Sequence, residues 1–80
     1  MKLIVKYFGK IAEVIGFEQE LLETKNESFS LNDLRLMIIS RNPELNDINF
    51  KLAVNLTLTN ENIKLKNSDE ISFLPPFSGG

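Results

Sequence analysis

The 80-residue chain contains no cysteine and no histidine, and that removes most of the usual means of doing chemistry. A thiol nucleophile, a disulfide, and a cysteine-ligated zinc or iron–sulfur centre all need cysteine. The commonest general base and metal ligand is imidazole. Ser-His-Asp and Cys-His hydrolases and the zinc hydrolases are therefore excluded. Two sets of groups are left: eleven acidic side chains, and the stretch Pro75-Pro76-Phe77-Ser78-Gly79-Gly80. The carboxylates read as structural. Glu18, Glu20, Glu23 and Glu27 suit the solvated side of an edge strand and its loop, and Asp69-Glu70 precedes an apolar strand where Asp ordinarily accepts backbone N–H groups. No metal site and no bound cofactor is expected from them.

The final stretch is different. Pro75 and Pro76 lack N–H donors and favour an extended polyproline conformation, so they end strand pairing and aim the last residues away from the domain. Four residues beyond them reach roughly 13 to 14 Å, enough to enter another protein's active site. Gly79 and Gly80 have no side chain to obstruct a narrow channel. The reactive group is then the α-carboxylate of Gly80. A carboxylate is a poor electrophile, so a nucleotide-dependent enzyme must first convert it to an acyl-adenylate, which a sulfur or amine nucleophile then attacks.

A tail of this kind needs a folded body to aim it. In Lys2 to Phe8, Leu3, Val5 and Tyr7 alternate with Lys2, Ile4 and Lys6, the period of a strand with one face on a core. "GKIAEVIG" reads as a short helix between Gly9 and Gly16, closed by Gly16 in the left-handed conformation. Glu18 to Thr24 reads as a second strand whose register is open, because Leu21 and Leu22 are adjacent. "FSLNDLRLMIISRNP" gives the strongest local signal. Ser30 and Asp33 match a capping box, Phe29 and Leu34 a hydrophobic staple, and Pro43 stops the helix near Arg41. Leu31, Leu34 and Ile38 share one face. Phe50 to Leu58 reads as strand, alternating about Asn55, and Glu70 to Leu74 as the last strand, with turn residues around Ile63 and Leu65 between them.

This order predicts an α+β fold, a β-grasp or ubiquitin-like mixed sheet of four to five strands packed on one main helix plus a short helix. Residues 1–74 form the domain and 75–80 the extended reactive tail. The apolar fraction of 42% and net charge of −2 describe a soluble folded domain. Scattered basic residues argue against nucleic acid. No apolar run is long enough to span a membrane, and the lysine inside "MKLIVKYF" is unlike a signal peptide, so a cytoplasmic protein is expected. By parity, Ile4 and Leu74 face away from the helix. With Phe8 they are expected to form an apolar partner interface near the root of the tail.

"LAVNLTLTNENIKLKNSDEISFLPPFSGG" resembles the small-subunit family of molybdopterin synthase, ubiquitin-like sulfur carriers with an Ala-Val-Asn-like segment, a Gly-Asp-Glu-type turn and a terminal Pro-Pro-x-x-Gly-Gly. "YFGKIAEVIG" is similar to that family's first strand and short helix. The resemblance implies that a ubiquitin-activating-type adenylyltransferase adenylates Gly80 and that a sulfur donor protein supplies its thiocarboxylate. It further implies that Pro75, Pro76, Phe77, Ser78 and Gly79 insert into the large subunit of a heterotetramer. There sulfur passes to cyclic pyranopterin monophosphate, with the catalytic side chains on the large subunit.

Two residues depart from the pattern. Ser68 stands where glycine is frequent, leaving Asn67 as a candidate for the left-handed position, and Phe77 replaces a smaller aliphatic residue. Other readings of the same tail are a carrier for thiazole synthesis, a modifier joined to lysine through Gly80, and a non-covalent interaction module. The paired prolines and the chain length favour the first reading over the thiazole carrier.

Overall fold

The computed structural model describes residues 1–76. Its elements are β1 (Lys2–Tyr7), α1 (Gly9–Ile15), β2 (Gln19–Glu23), α2 (Leu31–Arg41), a 3₁₀ turn at Pro43–Asp47, β3 (Lys51–Val54), β4 (Thr57–Thr59) and β5 (Glu70–Leu74). The strands form one five-stranded sheet in the order β2-β1-β5-β3-β4. β1 and β5 run parallel at its centre, with Val5 beside Ile71 and Tyr7 beside Phe73. This is the β-grasp arrangement that the element order predicts.

The core follows from the alternation in β1. Leu3, Val5 and Tyr7 are buried, and so are Ile71 and Phe73 of β5, Leu52 and Val54 of β3, and Leu31, Leu34 and Ile38 of α2; all of these belong to one cluster. The capping box forms as expected: Ser30 Oγ accepts from Asp33 N, and Asp33 Oδ2 accepts from Ser30 N. α2 ends at Arg41, and Pro43 opens the 3₁₀ turn that buries Leu45. Gly16 closes α1 at φ 97°. Among the described residues no helix is long and apolar enough to cross a membrane.

The sequence reading fails at two turns. Phe50 to Leu58 is not one strand but a hairpin, broken by Asn55 at φ 49° and Leu56 at φ 72°. Positive φ at both central residues is the turn that matches the twist of paired strands, and glycine normally fills its second position. Leucine there hides the signal. Asn55 also ties the hairpin to β5: its Oδ1 accepts from Glu70 N at 3.0 Å, and its Nδ2 donates to Asp69 Oδ1 at 2.8 Å. In the turn before β5, Ser68 and not Asn67 takes the left-handed position, at φ 72°. Asn67 is engaged otherwise, its Oδ1 accepting from Lys2 N at 2.7 Å. Leu56 is 86% exposed, so replacing it removes little packing. Leu56→Gly is expected to stabilise the fold by about 1 kcal/mol, relief of the left-handed strain outweighing the added freedom of the unfolded chain. Urea unfolding would show this as a higher midpoint with an unchanged slope.

Candidate functional site

β5 is the central strand that runs into the tail, and three neighbours hold its end. Phe73 is fully buried, with its ring 5.5 Å from Tyr7 and 5.3 Å from Phe50. Leu74 pairs with Lys51 of β3. On the other side, Phe8 N donates to Phe73 O at 3.2 Å, and the chain turns at once into α1. Gly9 makes that turn at φ 57°, and a Cβ there would lie 3.3 Å from Pro75 Cγ. Glycine serves both needs, the positive φ and the close approach of the proline ring. Pro75 is accordingly half-buried and Pro76 exposed. Phe77, Ser78, Gly79 and Gly80, the reactive part expected from the sequence, lie outside the described residues.

A polar cluster behind this root was missed in the sequence. Glu20 does not face solvent with Glu18 and Glu23. Its carboxylate accepts from the Tyr7 hydroxyl and from Arg41 NH2, the latter at 3.1 and 3.2 Å, so one side chain joins β1, β2 and the end of α2. The signal was parity: with Leu22 turned to the core, Glu20 must share its face. Burial raises the Tyr7 pKa first, the hydrogen bond and the charge of Glu20 raise it further, and Arg41 opposes them.

The sign of the consequence is set by linkage. An unfolded phenol ionises near pH 10, whereas the folded one keeps its proton to higher pH. The stabilisation is therefore fully present below about pH 10, and it falls as pH rises beyond, because only the unfolded state releases the proton. The denaturation midpoint is expected to drop more steeply above pH 10 in the wild type than in Tyr7→Phe. Tyr7 is the only tyrosine and tryptophan is absent, so phenolate absorption reads it alone. Ionisation of the folded protein near pH 10 would contradict the assignment.

The expected Ile4–Phe8–Leu74 patch is divided. All three side chains avoid the core, with Ile4 and Leu74 half-buried and Phe8 42% exposed. Ile4, however, pairs with Leu21 on one side and Glu70 on the other. Lys6 and Ser72 separate it from the Leu74 end, with Lys6 Nζ 2.5 Å from Glu70 Oε1. Parity placed each side chain correctly, but the parallel stagger of β1 and β5 sets Ile4 two pairs away from Leu74. Only Phe8 adjoins Leu74, by the register carried one residue beyond Tyr7–Phe73.

Among the described residues no three Asp, Glu, His or Cys side chains cluster closely enough to hold a metal ion. The distinctive feature is instead a rigid exit from the middle of the sheet. These features define a ubiquitin-like protein whose central strand feeds a proline-anchored tail. Residues 5–80 match the ThiS family, and the chain belongs to it.

Over the whole of both chains it is 31% identical to the molybdopterin synthase sulfur carrier subunit of Chlamydomonas reinhardtii. It is 30% identical, again over all of both chains and with a TM-score of 0.69, to a chain in the protein–protein complex of subunits 1 and 2 of molybdopterin-converting factor from Helicobacter pylori 26695. Small archaeal modifier protein 1 from Methanosarcina acetivorans superposes with a TM-score of 0.76 at 25% identity, over 99% of this chain and 96% of that one.

Proposed function

We propose that this chain is the sulfur carrier of a molybdopterin synthase. The observation that carries this reading is the full-length similarity to the algal sulfur carrier subunit in a chain whose last strand runs into Pro-Pro-x-x-Gly-Gly. The Gly80 carboxylate oxygen attacks the α-phosphorus of ATP on a ubiquitin-activating-type adenylyltransferase and displaces pyrophosphate. The terminal sulfur of a donor protein's persulfide then forms a C–S bond to the Gly80 carbonyl carbon as the bond to AMP breaks, and a thiol cleaves the S–S bond of the resulting acyl disulfide, leaving the thiocarboxylate and a disulfide. Pro75 to Gly80 next enter the large subunit, where the sulfur bonds to cyclic pyranopterin monophosphate and water attacks the Gly80 carbonyl carbon as its C–S bond breaks, so that the carrier returns as the carboxylate. The protein's own part is mechanical: the packing of Phe73, Gly9 and Pro75 fixes where the tail starts, and the partner supplies the catalytic side chains. Phe8 and Leu74, beside that start, and Ile4 farther along the same face are the proposed contacts with the large subunit. The compartment proposed is the cytoplasm.

The test is to incubate the full chain with such an adenylyltransferase, ATP and a sulfur source and to read its intact mass. Gain of the difference between OH and SH supports the carrier role, and recovery of a molybdopterin synthase large subunit in a pull-down supports the pathway. An unchanged mass, under conditions that convert a known carrier, overturns the reading. The likeness to small archaeal modifier protein 1 supports a second reading, attachment through Gly80 to lysine amines. That reading gives conjugates of higher mass in place of a thiocarboxylate.

A further inference from the structure

The strand β2 forms one edge of the sheet. In the β1–β2 ladder the Tyr7 N–H bonds to Glu18 O, Thr24 N to Met1 O, and the Met1 amino group to Thr24 O. Antiparallel ladders alternate bonded and non-bonded pairs. Glu20 and Leu22 therefore turn their N–H and C=O groups towards β1, while Gln19, Leu21 and Glu23 turn theirs outward. β2 is the last strand on its side of the sheet, and no proline, lysine or bulge interrupts it. Those devices and inward-pointing charges normally blunt an exposed edge; of them β2 has only the inward carboxylate of Glu20, and that is paired with Arg41. At its centre Leu21 is 75% exposed, beside half-buried Ile4 on the same face.

Three symmetric antiparallel registers bring the outward groups of two copies together. Centring on Glu20 sets two half-buried, already paired carboxylates against each other, and like charges directly opposed destabilise a sheet. Centring on Leu22 leaves Gln19 opposite Lys25, which lies beyond the strand. Centring on Leu21 avoids both faults. Leu21 then faces its own copy, Gln19 faces Glu23, and Glu20 faces Leu22, so every carboxylate of the strand meets a neutral residue. All three outward-facing residues are used, each pair exchanging two bonds, roughly six in total.

We infer that two copies of this chain associate through β2 in this register, extending the sheet across a twofold axis. Ile4, Leu21 and their symmetry mates then form one apolar row that covers the most exposed large apolar side chain of the strands' open face. β2 is separated from β5 by β1, so both tails are left free to act. The inference concerns the folded body and does not depend on the chemistry at Gly80.

The register makes a sharp test possible because the native chain has no cysteine. A bonded antiparallel pair holds its Cα atoms about 5.5 Å apart, within the range that a disulfide spans. Leu21→Cys is expected to give a disulfide-linked dimer under mild oxidation roughly tenfold faster than Leu36→Cys, an equally simple thiol on the exposed side of α2. Sedimentation equilibrium of the wild type should show a concentration-dependent dimer that Leu21→Lys abolishes while its circular dichroism is unchanged. Equal oxidation rates for the two cysteine variants, with a wild type that stays monomeric at millimolar concentration, overturn the proposal. So does faster linkage through Leu58→Cys at the opposite edge, which would place the contact on β4.

Discussion

Deletion of Gly79 and Gly80 is expected to abolish the gain of sulfur completely while leaving thermal unfolding almost where it was. The two halves of this result have separate causes. In the proposed chemistry the carboxylate that is adenylated belongs to Gly80, and shortening the chain by two residues places a new carboxylate roughly 7 Å back along the tail, beside the bulkier Ser78. An active site reached through a narrow channel does not tolerate that displacement, because misplacement of a reacting atom by even 1 Å costs orders of magnitude in rate. Stability is set elsewhere. Among the described residues the last fully buried side chain is Phe73, and the contact that fixes the exit is made by Pro75. Changes away from such features stay within about 0.5 kcal/mol, which for a domain of this size is a shift of roughly 2 to 4 °C. Intact-mass measurement after loading and a melting curve on the same sample check both halves. A fall of 10 °C or more would show that the final residues pack on the domain, and retained loading would remove Gly80 from the chemistry.

The contrast between what could and could not be read in advance has a physical basis. Elements specified by neighbours in sequence were legible. The capping box at Ser30 and Asp33, the stop at Pro43, the left-handed Gly16 and the alternation of β1 each rest on rules spanning a few residues, and each stands in the structure. Features that depend on which strands meet were not legible. Glu20 looks like any surface carboxylate until β2 is placed against β1 and α2, after which it is the group that holds Tyr7 and Arg41 together. The patch is divided for the same reason, since parity fixes the face of Ile4 and Leu74 but not their stagger. The hairpin and the Ser68 turn failed because residues other than glycine occupy left-handed positions, held there by hydrogen bonds of Asn55 and Asn67 that arise only when β3, β5 and β1 are assembled. The expectation of a reactive tail came from composition, through the absence of cysteine and histidine, whereas the close approach of Gly9 and Pro75 at its root was not legible, because the two are far apart in sequence.

Phe73→Ala is expected to be the most damaging single change in the folded body. Its ring lies against Tyr7 on the adjacent strand β1 and Phe50 just before β3, and none of its surface is exposed. Truncation of a buried phenylalanine costs about 3 to 5 kcal/mol, combining lost transfer energy with the cavity that remains. A domain of this length has on the order of 4 to 12 kcal/mol in total. The variant therefore loses about a quarter of its stability at best, and is largely unfolded near physiological temperature at worst. Phe73→Leu keeps most of the volume and is expected to cost under about 1.5 kcal/mol.

The pair separates two roles of this position. If Phe73 acts only by stabilising the fold, the leucine variant loads sulfur and binds the large subunit as the wild type does. If the ring also fixes the direction in which Leu74 and Pro75 leave the sheet, the leucine variant loads normally, since a free tail still reaches the activating enzyme, but binds the large subunit more weakly at a temperature where it is fully folded. Circular dichroism melting, followed by a binding titration well below the midpoint, distinguishes the two. The second outcome is the one expected, because the contacts that bury Phe73 are made on the same short stretch of β1 and β3 that borders the exit.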